Sequence, residues 1–108
     1  MRVIYIAEDG TLFDNEFECR DYEFIISLKD IKKISCYNDD CELMTDLLSQ
    51  DTYDYGNTII IETLEALKTF HKIADYCGWC EWDRIDSVGI WKWQDDGFYE
   101  KFIKIKEL

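Results

Sequence analysis

Proline is absent from this chain, and glycine occurs only five times in 108 residues. Linkers and low-complexity segments draw on these residues, so nothing divides the chain, and its length fits one domain, residues 1–108. Basic residues are missing from a long internal stretch. Between Ile34 and Leu67 there is no Lys or Arg, while eight carboxylates occupy it: Asp39, Asp40, Glu42, Asp46, Asp51, Asp54, Glu62 and Glu65. Long apolar runs are missing too. None approaches the roughly 20 residues of a membrane-spanning helix. The apolar run from Val3 to Ala7 is shorter than the about 7–15 residues of a secretory signal. A soluble, cytoplasmic chain is therefore expected, with no membrane partner. Five cysteines, an odd number, read in that setting as reduced thiols rather than a disulfide framework.

What is present is acid and apolar surface together. Twenty-four acidic residues against 12 basic ones give a net charge of -12, beyond the roughly 2–8 units that keep a small domain dispersed. The excess raises self-repulsion in the folded state. Acidic chains stay disordered when they lack apolar residues, but here 47% of residues are hydrophobic and 16% aromatic, enough for a core. Such a charge disfavours direct binding to nucleic acid or anionic lipid. It favours a monomer, and it favours a basic partner protein.

Patterning predicts a mixed order of elements. Arg2–Ala7 reads as a strand ended by the turn pair Asp9-Gly10, with Thr11–Phe13 returning. Asp14 or Asn15 offers a cap for a helix over Glu16–Leu28, with Phe17, Phe24, Ile25 and Leu28 on one face. Lys32–Tyr37 reads as a strand, and Cys41–Met44 as either its partner or the start of a short helix reaching Ser49. Asp51–Asn57 reads as a polar connection, and Thr58–Ile61 as a central strand. Thr63 caps a helix carrying Leu64, Leu67, Phe70, Ile73, Ala74 and Cys77, which ends at Gly78. Val88–Gln94 and Phe98–Ile105 form a hairpin around Asp95-Asp96-Gly97, which sets Trp93 opposite Tyr99, Lys92 opposite Glu100 and Ile90 opposite Phe102. The expected fold is α+β: a single small domain with two helices packed on a mostly antiparallel mixed sheet and a C-terminal β-hairpin.

The segment Ala7-Glu8-Asp9-Gly10-Thr11-x-Phe13, followed by Glu18-Cys19-x-x-Tyr22-Glu23, resembles a group of small accessory proteins of tailed phages. These open with an Ala-x-Asp-Gly-x-x-Phe turn and a Glu-Cys-x-x-Tyr-Glu helix. The likeness covers both ends of the chain and leaves Lys29 to Asn57 unmatched. Its motifs are structural and imply no catalytic residue. The resemblance implies a setting, the cytoplasm of an infected bacterium, where small acidic proteins inhibit host enzymes that hold nucleic acid, CRISPR and restriction nucleases among them.

Candidate chemistry is thin. Cys77-Gly78-Trp79-Cys80 has a redox spacing, but it closes a helix instead of opening one, where the dipole raises a thiol pKa. Cys36 and Cys41 with Cys77 and Cys80 have spacings compatible with a four-thiolate zinc site, against the simpler reading of Cys77 as a small apolar packing residue. His71, the only histidine, falls inside the predicted helix as a half-buried side chain. No phosphate loop and no nucleophile–histidine motif occurs. Neither enzyme activity nor a cofactor is expected. Trp79 and Trp82 lie among Glu81, Asp83 and Asp86, where an exposed ring would suit a partner hot spot; packing in the core is the simpler reading.

Two functional readings follow. In the first, Asp39, Asp40, Glu42, Asp46, Asp51 and Asp54 stand in for phosphates against a basic, nucleic-acid-handling defence enzyme. Tyr53 and Tyr55 then stack on its guanidinium groups; the alternative for both rings is simple anchoring of a polar loop. The second is a small-molecule binder that sequesters a nucleotide, or a Cys-metal protein. A nucleotide site requires Lys29, Lys32 and Lys33 to converge with Lys101, Lys104 and Lys106 on an aromatic pocket.

Overall fold

The structure, a computed structural model, describes residues 2–95, 97 and 100–108. A two-stranded hairpin, β1 (Tyr5–Ile6) and β2 (Leu12–Phe13), is followed by helix α1 (Glu16–Ser27). A single 3-10 turn at Ile31–Lys33 leads into β3 (Ile34–Tyr37). Then come α2 (Gln50–Tyr55), β4 (Thr58–Ile61), α3 (Leu64–Cys77), a 3-10 turn at Cys80–Arg84, and the hairpin β5 (Gly89–Asp95) and β6 (Glu100–Lys106). The four later strands form one sheet in the order β3-β4-β5-β6, antiparallel throughout.

The sheet's core face follows strand alternation. Ile34 and Cys36 on β3, Ile59 and Ile61 on β4, and Trp91 on β5 are all buried. Across them lies α3, whose inward residues Ala66, Leu67, Phe70, Ile73 and Ala74 are buried. Each end of α3 has a chemical cause. The Thr63 side chain accepts from the Ala66 N–H, and Gly78 stops the helix in the left-handed region at φ 74, which a Cβ would strain. The 3-10 turn after it drives Trp82 into the core, stacked on Phe70 with centroids 4.4 Å apart and planes 15° from parallel. His71 donates from Nε2 to the Ile85 carbonyl at 2.6 Å, so the one histidine ties α3 to the segment after that turn.

At the N-terminus the turn and α1 lock together. Tyr22 donates to Asp9 Oδ2 at 2.5 Å, the Glu8 N–H donates to Glu23, and the rings of Phe13 and Tyr22 lie 5.2 Å apart. Tyr22 and Thr11 together hold the Asp9 carboxyl below its usual value, the Tyr22 hydrogen bond contributing most.

The α+β architecture and the C-terminal hairpin match the reading of the sequence, and several details do not. Among the described residues the sheets contain no parallel pair, and there are three helices, not two. The first two strands are shorter than expected. Cys41–Met44 forms neither strand nor helix. A turn with Cys41 at φ 61 returns the chain for one bridge, Leu43 to Tyr37, flanked by hydrogen bonds from the Asn38 N–H to Glu42 O and from the Met44 N–H to Cys36 O. Phe17 and Leu64, placed on buried stripes, are each 70% exposed. Both sit in the first turn of their helix, beyond the reach of the core.

The hairpin register also differs. Trp93 faces Phe102, Lys92 faces Ile103, and Ile90 faces Lys106. From Trp91 to Asp95 the pairing is offset by three residues from the expected one, with a further shift between Ile90 and Trp91; the odd offset moves Phe102 to the same sheet face as Trp91 and Trp93. Burial of three large rings on one face outweighs the charge pairing of Lys92 with Glu100. The expected Tyr99 partner and the Asp96 and Phe98 positions lie outside the described residues.

Candidate functional site

The base-free stretch is not an extended loop. Ser49 accepts the Asp51 N–H and starts α2, so the expected polar connection over Asp51–Asn57 is helical for most of its length. The consequence is geometric: Asp51 and Asp54, three apart, bring their Cβ atoms to about 5–6 Å on one helical face. It also separates the two tyrosines. Tyr53 turns inward and stacks on Trp79 with centroids 5.0 Å apart and planes 12° from parallel. Tyr55 points outward and is 66% exposed. Tyr53 is thus an anchoring ring, and of the pair Tyr55 is the one presented to a partner.

The turn before α2 is held by short polar contacts. Asn38 Oδ1 accepts from the N–H groups of Asp40 and Glu42, each at 3.0 Å. Asn57 donates from Nδ2 to Asp39 at 2.5 Å, and its carbonyl accepts the Trp93 N–H at 2.7 Å. Asp46 accepts the Leu48 N–H, and its carbonyl accepts from the buried Thr52 hydroxyl at 2.5 Å. Asp39, Asp40, Glu42, Asp46, Asp51 and Asp54 are all exposed. The ion pairs between described residues join Arg2 to Asp14, Arg20 to Glu16, Arg84 to Glu81, and Lys104 to Glu107. None of them neutralises a carboxylate of the stretch.

A cleft of about 300 Å³ opens beside this surface, where α2 meets the C-terminal hairpin. Tyr53, Trp93 and Phe102 supply rings, and Asp54, Glu81 and Glu100 supply carboxylates. Trp93 and Phe102 meet edge to face, with centroids 4.9 Å apart at 72°. Burial raises the Tyr53 pKa against a hydrogen bond with the Glu81 backbone that lowers it, and charge at Cys80, Glu81 and Asp54 raises it further. Of these six residues the sequence reading had picked out only Tyr53 and Asp54 as binding residues. Glu81 carried a signal, its place in the Trp-rich loop. Glu100 carried none, because only the register of β6 brings it here.

The other candidates resolve into packing. Trp79 and Trp82 are 5% and 1% exposed, so neither ring is a surface hot spot. Cys36 is buried and its thiol is pushed up to about 11 by burial, while Cys41 and Cys80 are exposed. Cys77 is also raised, by burial and then by Asp21 and Asp46, the wrong direction for a reactive thiol. Among the described residues no group of three Cys, His, Asp or Glu side chains is placed to hold a metal ion, so Cys36, Cys41, Cys77 and Cys80 do not gather. The lysine clusters stay apart: Lys29, Lys32 and Lys33 precede β3, Lys101, Lys104 and Lys106 lie on β6, and these strands are opposite edges of the sheet. Three strand spacings separate them, about 14 Å. No helix among the described residues is long and apolar enough to cross a membrane.

Comparison of the chain with known protein families, with curated proteins and with solved structures found no match.

Proposed function

We propose that this protein is an inhibitor that binds a basic nucleic-acid-binding surface of an enzyme by acidic charge mimicry. The enzyme class is a bacterial defence nuclease of the CRISPR or restriction type, met in the cytoplasm of an infected cell, the setting implied by the resemblance to tailed-phage accessory proteins. The observation that carries this reading is the exposed row of Asp39, Asp40, Glu42, Asp46, Asp51 and Asp54, none of which joins an ion pair between described residues. The backbone of the turn and of α2 is fixed by Asn38 and Ser49, and the Asp39 carboxylate is held by Asn57. Charges displayed from a fixed backbone lose little ordering entropy on binding, which suits a rigid competitor of nucleic acid. Tyr55 adds an exposed ring for guanidinium stacking.

The nucleotide-sequestering alternative is less well supported, because its two lysine clusters lie on opposite sheet edges. The test is displacement of a labelled DNA duplex from a panel of purified restriction and CRISPR nucleases, followed by anisotropy at low and high salt. Competition that weakens steeply with salt supports mimicry. An inhibition constant that does not change with salt removes it, and so does a panel with no competition at all.

A further inference from the structure

We infer that the cleft between α2 and the C-terminal hairpin is a receptor for a single guanidinium group, the side chain of an arginine on the partner protein. The inference deepens the mimicry reading and rests on it for the source of the arginine. The cleft has both recognition elements that a guanidinium uses: ring faces for its plane and carboxylates for its forked N–H groups. Tyr53, Trp93 and Phe102 form the apolar part, and Asp54, Glu81 and Glu100 the charged part. Among the described residues no basic side chain lines it.

The charge of the cleft is only partly met from within the chain. Glu81 Oε2 is buried and pairs with Arg84 Nε at 3.4 Å, while the Glu81 side chain as a whole is 40% exposed. No ion pair between described residues joins Asp54 or Glu100, so the cleft offers negative charge to a cation from outside. The rings decide between cations. An ammonium is compact and strongly hydrated, whereas a guanidinium is planar and weakly hydrated and stacks on aromatic faces. Trp93 and Tyr53 are each half-buried, with ring surface left for such a contact. The cleft adjoins the acidic row through Asn57, which bonds both Trp93 and Asp39. A partner lying along the row therefore has the cleft within reach of one side chain.

The test needs no partner. The full chain, labelled with 15N, is titrated at low salt with Nα-acetyl-arginine amide, Nα-acetyl-lysine amide and Nα-acetyl-citrulline amide, the last a neutral isostere of arginine. The expected result is a saturable shift of the Trp93 indole N–H with arginine, and contacts from the arginine side chain to the Trp93 ring in nuclear Overhauser spectra. Binding should be at least about threefold weaker for lysine and tenfold weaker for citrulline, the latter about 1.4 kcal/mol. A Glu81→Gln/Glu100→Gln variant, with folding checked by its amide spectrum, should weaken arginine binding about tenfold. Equal binding of lysine or citrulline overturns the inference. Non-saturating shifts of similar size at Asp40, Glu42 and Trp93 overturn it too. The ring contacts in the parent protein decide the matter if the variant fails to fold: their absence overturns the inference. Loss of arginine binding alongside salt-sensitive nuclease competition sinks the cleft and keeps the mimicry. Saturable arginine binding without any nuclease competition keeps the cleft and sinks the mimicry.

Discussion

The ring of Tyr53 lies flat on that of Trp79, centroids 5.0 Å apart and planes 12° from parallel. This contact joins the acidic helix to the segment that follows α3, and it sets which way α2 faces. With Tyr53 inward, Asp51, Asp54 and Tyr55 face outward.

Truncation of the two tyrosines should therefore have unequal effects. Tyr53→Ala removes a half-buried ring and an aromatic pair, a loss of about 2 kcal/mol. Tyr55→Ala removes an exposed ring and should stay within about 0.5 kcal/mol. Urea unfolding of both variants checks this. Equal losses would show that α2 is not oriented by Tyr53.

Gly56 marks a close approach between the end of α2 and the sheet. A Cβ there would stand 2.6 Å from Cys36 Sγ and collide with the Thr52 carbonyl oxygen. The Gly56 backbone φ is -65, so space and not conformation requires the glycine. Gly56→Ala should cost about 1–3 kcal/mol. Adding Cys36→Ala should restore only part of that, because the Thr52 carbonyl remains. A shift in the denaturant midpoint with an unchanged slope is the expected signature; a stable Gly56→Ala protein would mean that the two elements are loosely apposed.

Much of this architecture was legible in the sequence because its signals are local. Thr58–Ile61 is β-branched throughout, and α3 has a cap, a stripe and a terminal glycine, so both elements fall where patterning puts them. The base-free stretch was equally visible as composition. The helix α2 was not: Asp, Thr and Tyr are indifferent helix formers, and six residues give too short a window for periodicity. Its stability comes from Ser49 at one end and from Tyr53 and Thr52 packing inward, which are tertiary facts. The cleft was hidden for a similar reason. Trp93 and Phe102 meet only in the observed register, and register depends on which face is buried rather than on the turn residues alone.

Tyr76 offers a readout for the contact between α1 and α3. Its ring stacks on Phe24, centroids 4.0 Å apart, and its hydroxyl donates to Asp21 at 2.5 Å. That hydrogen bond, then burial and the Asp21 charge, raise its pKa from 10.0 to about 12. A raised folded pKa means that the contact contributes fully below the ordinary tyrosine value and is lost as pH rises through about 12. The tyrosinate absorbance of the parent minus that of Tyr76→Phe should show this one group ionising near 12. Asp21→Asn should bring it back towards the ordinary value. A difference curve centred at 10 in the parent would mean that the Asp21 hydrogen bond is not held in solution.

Charge reversal separates the structural acids of the row from the displayed ones. Asp39 and Asp46 accept hydrogen bonds from Asn57 and from the Leu48 N–H, so Asp39→Lys and Asp46→Lys should each cost about 1 kcal/mol. Asp40 and Glu42 contribute their N–H groups to the turn and leave their carboxylates to solvent. Asp40→Lys/Glu42→Lys should keep stability within about 0.5 kcal/mol or raise it slightly by relieving repulsion. On the mimicry reading the same double variant should slow association with the target nuclease and lose most of the competition with DNA. A folded double variant that competes as well as the parent would sink the proposed surface. The mimicry would then have to move to the acids of the first helix, where Glu16 pairs with Arg20, Asp21 accepts from Tyr76 and Glu23 accepts the Glu8 N–H, while Glu18 is exposed.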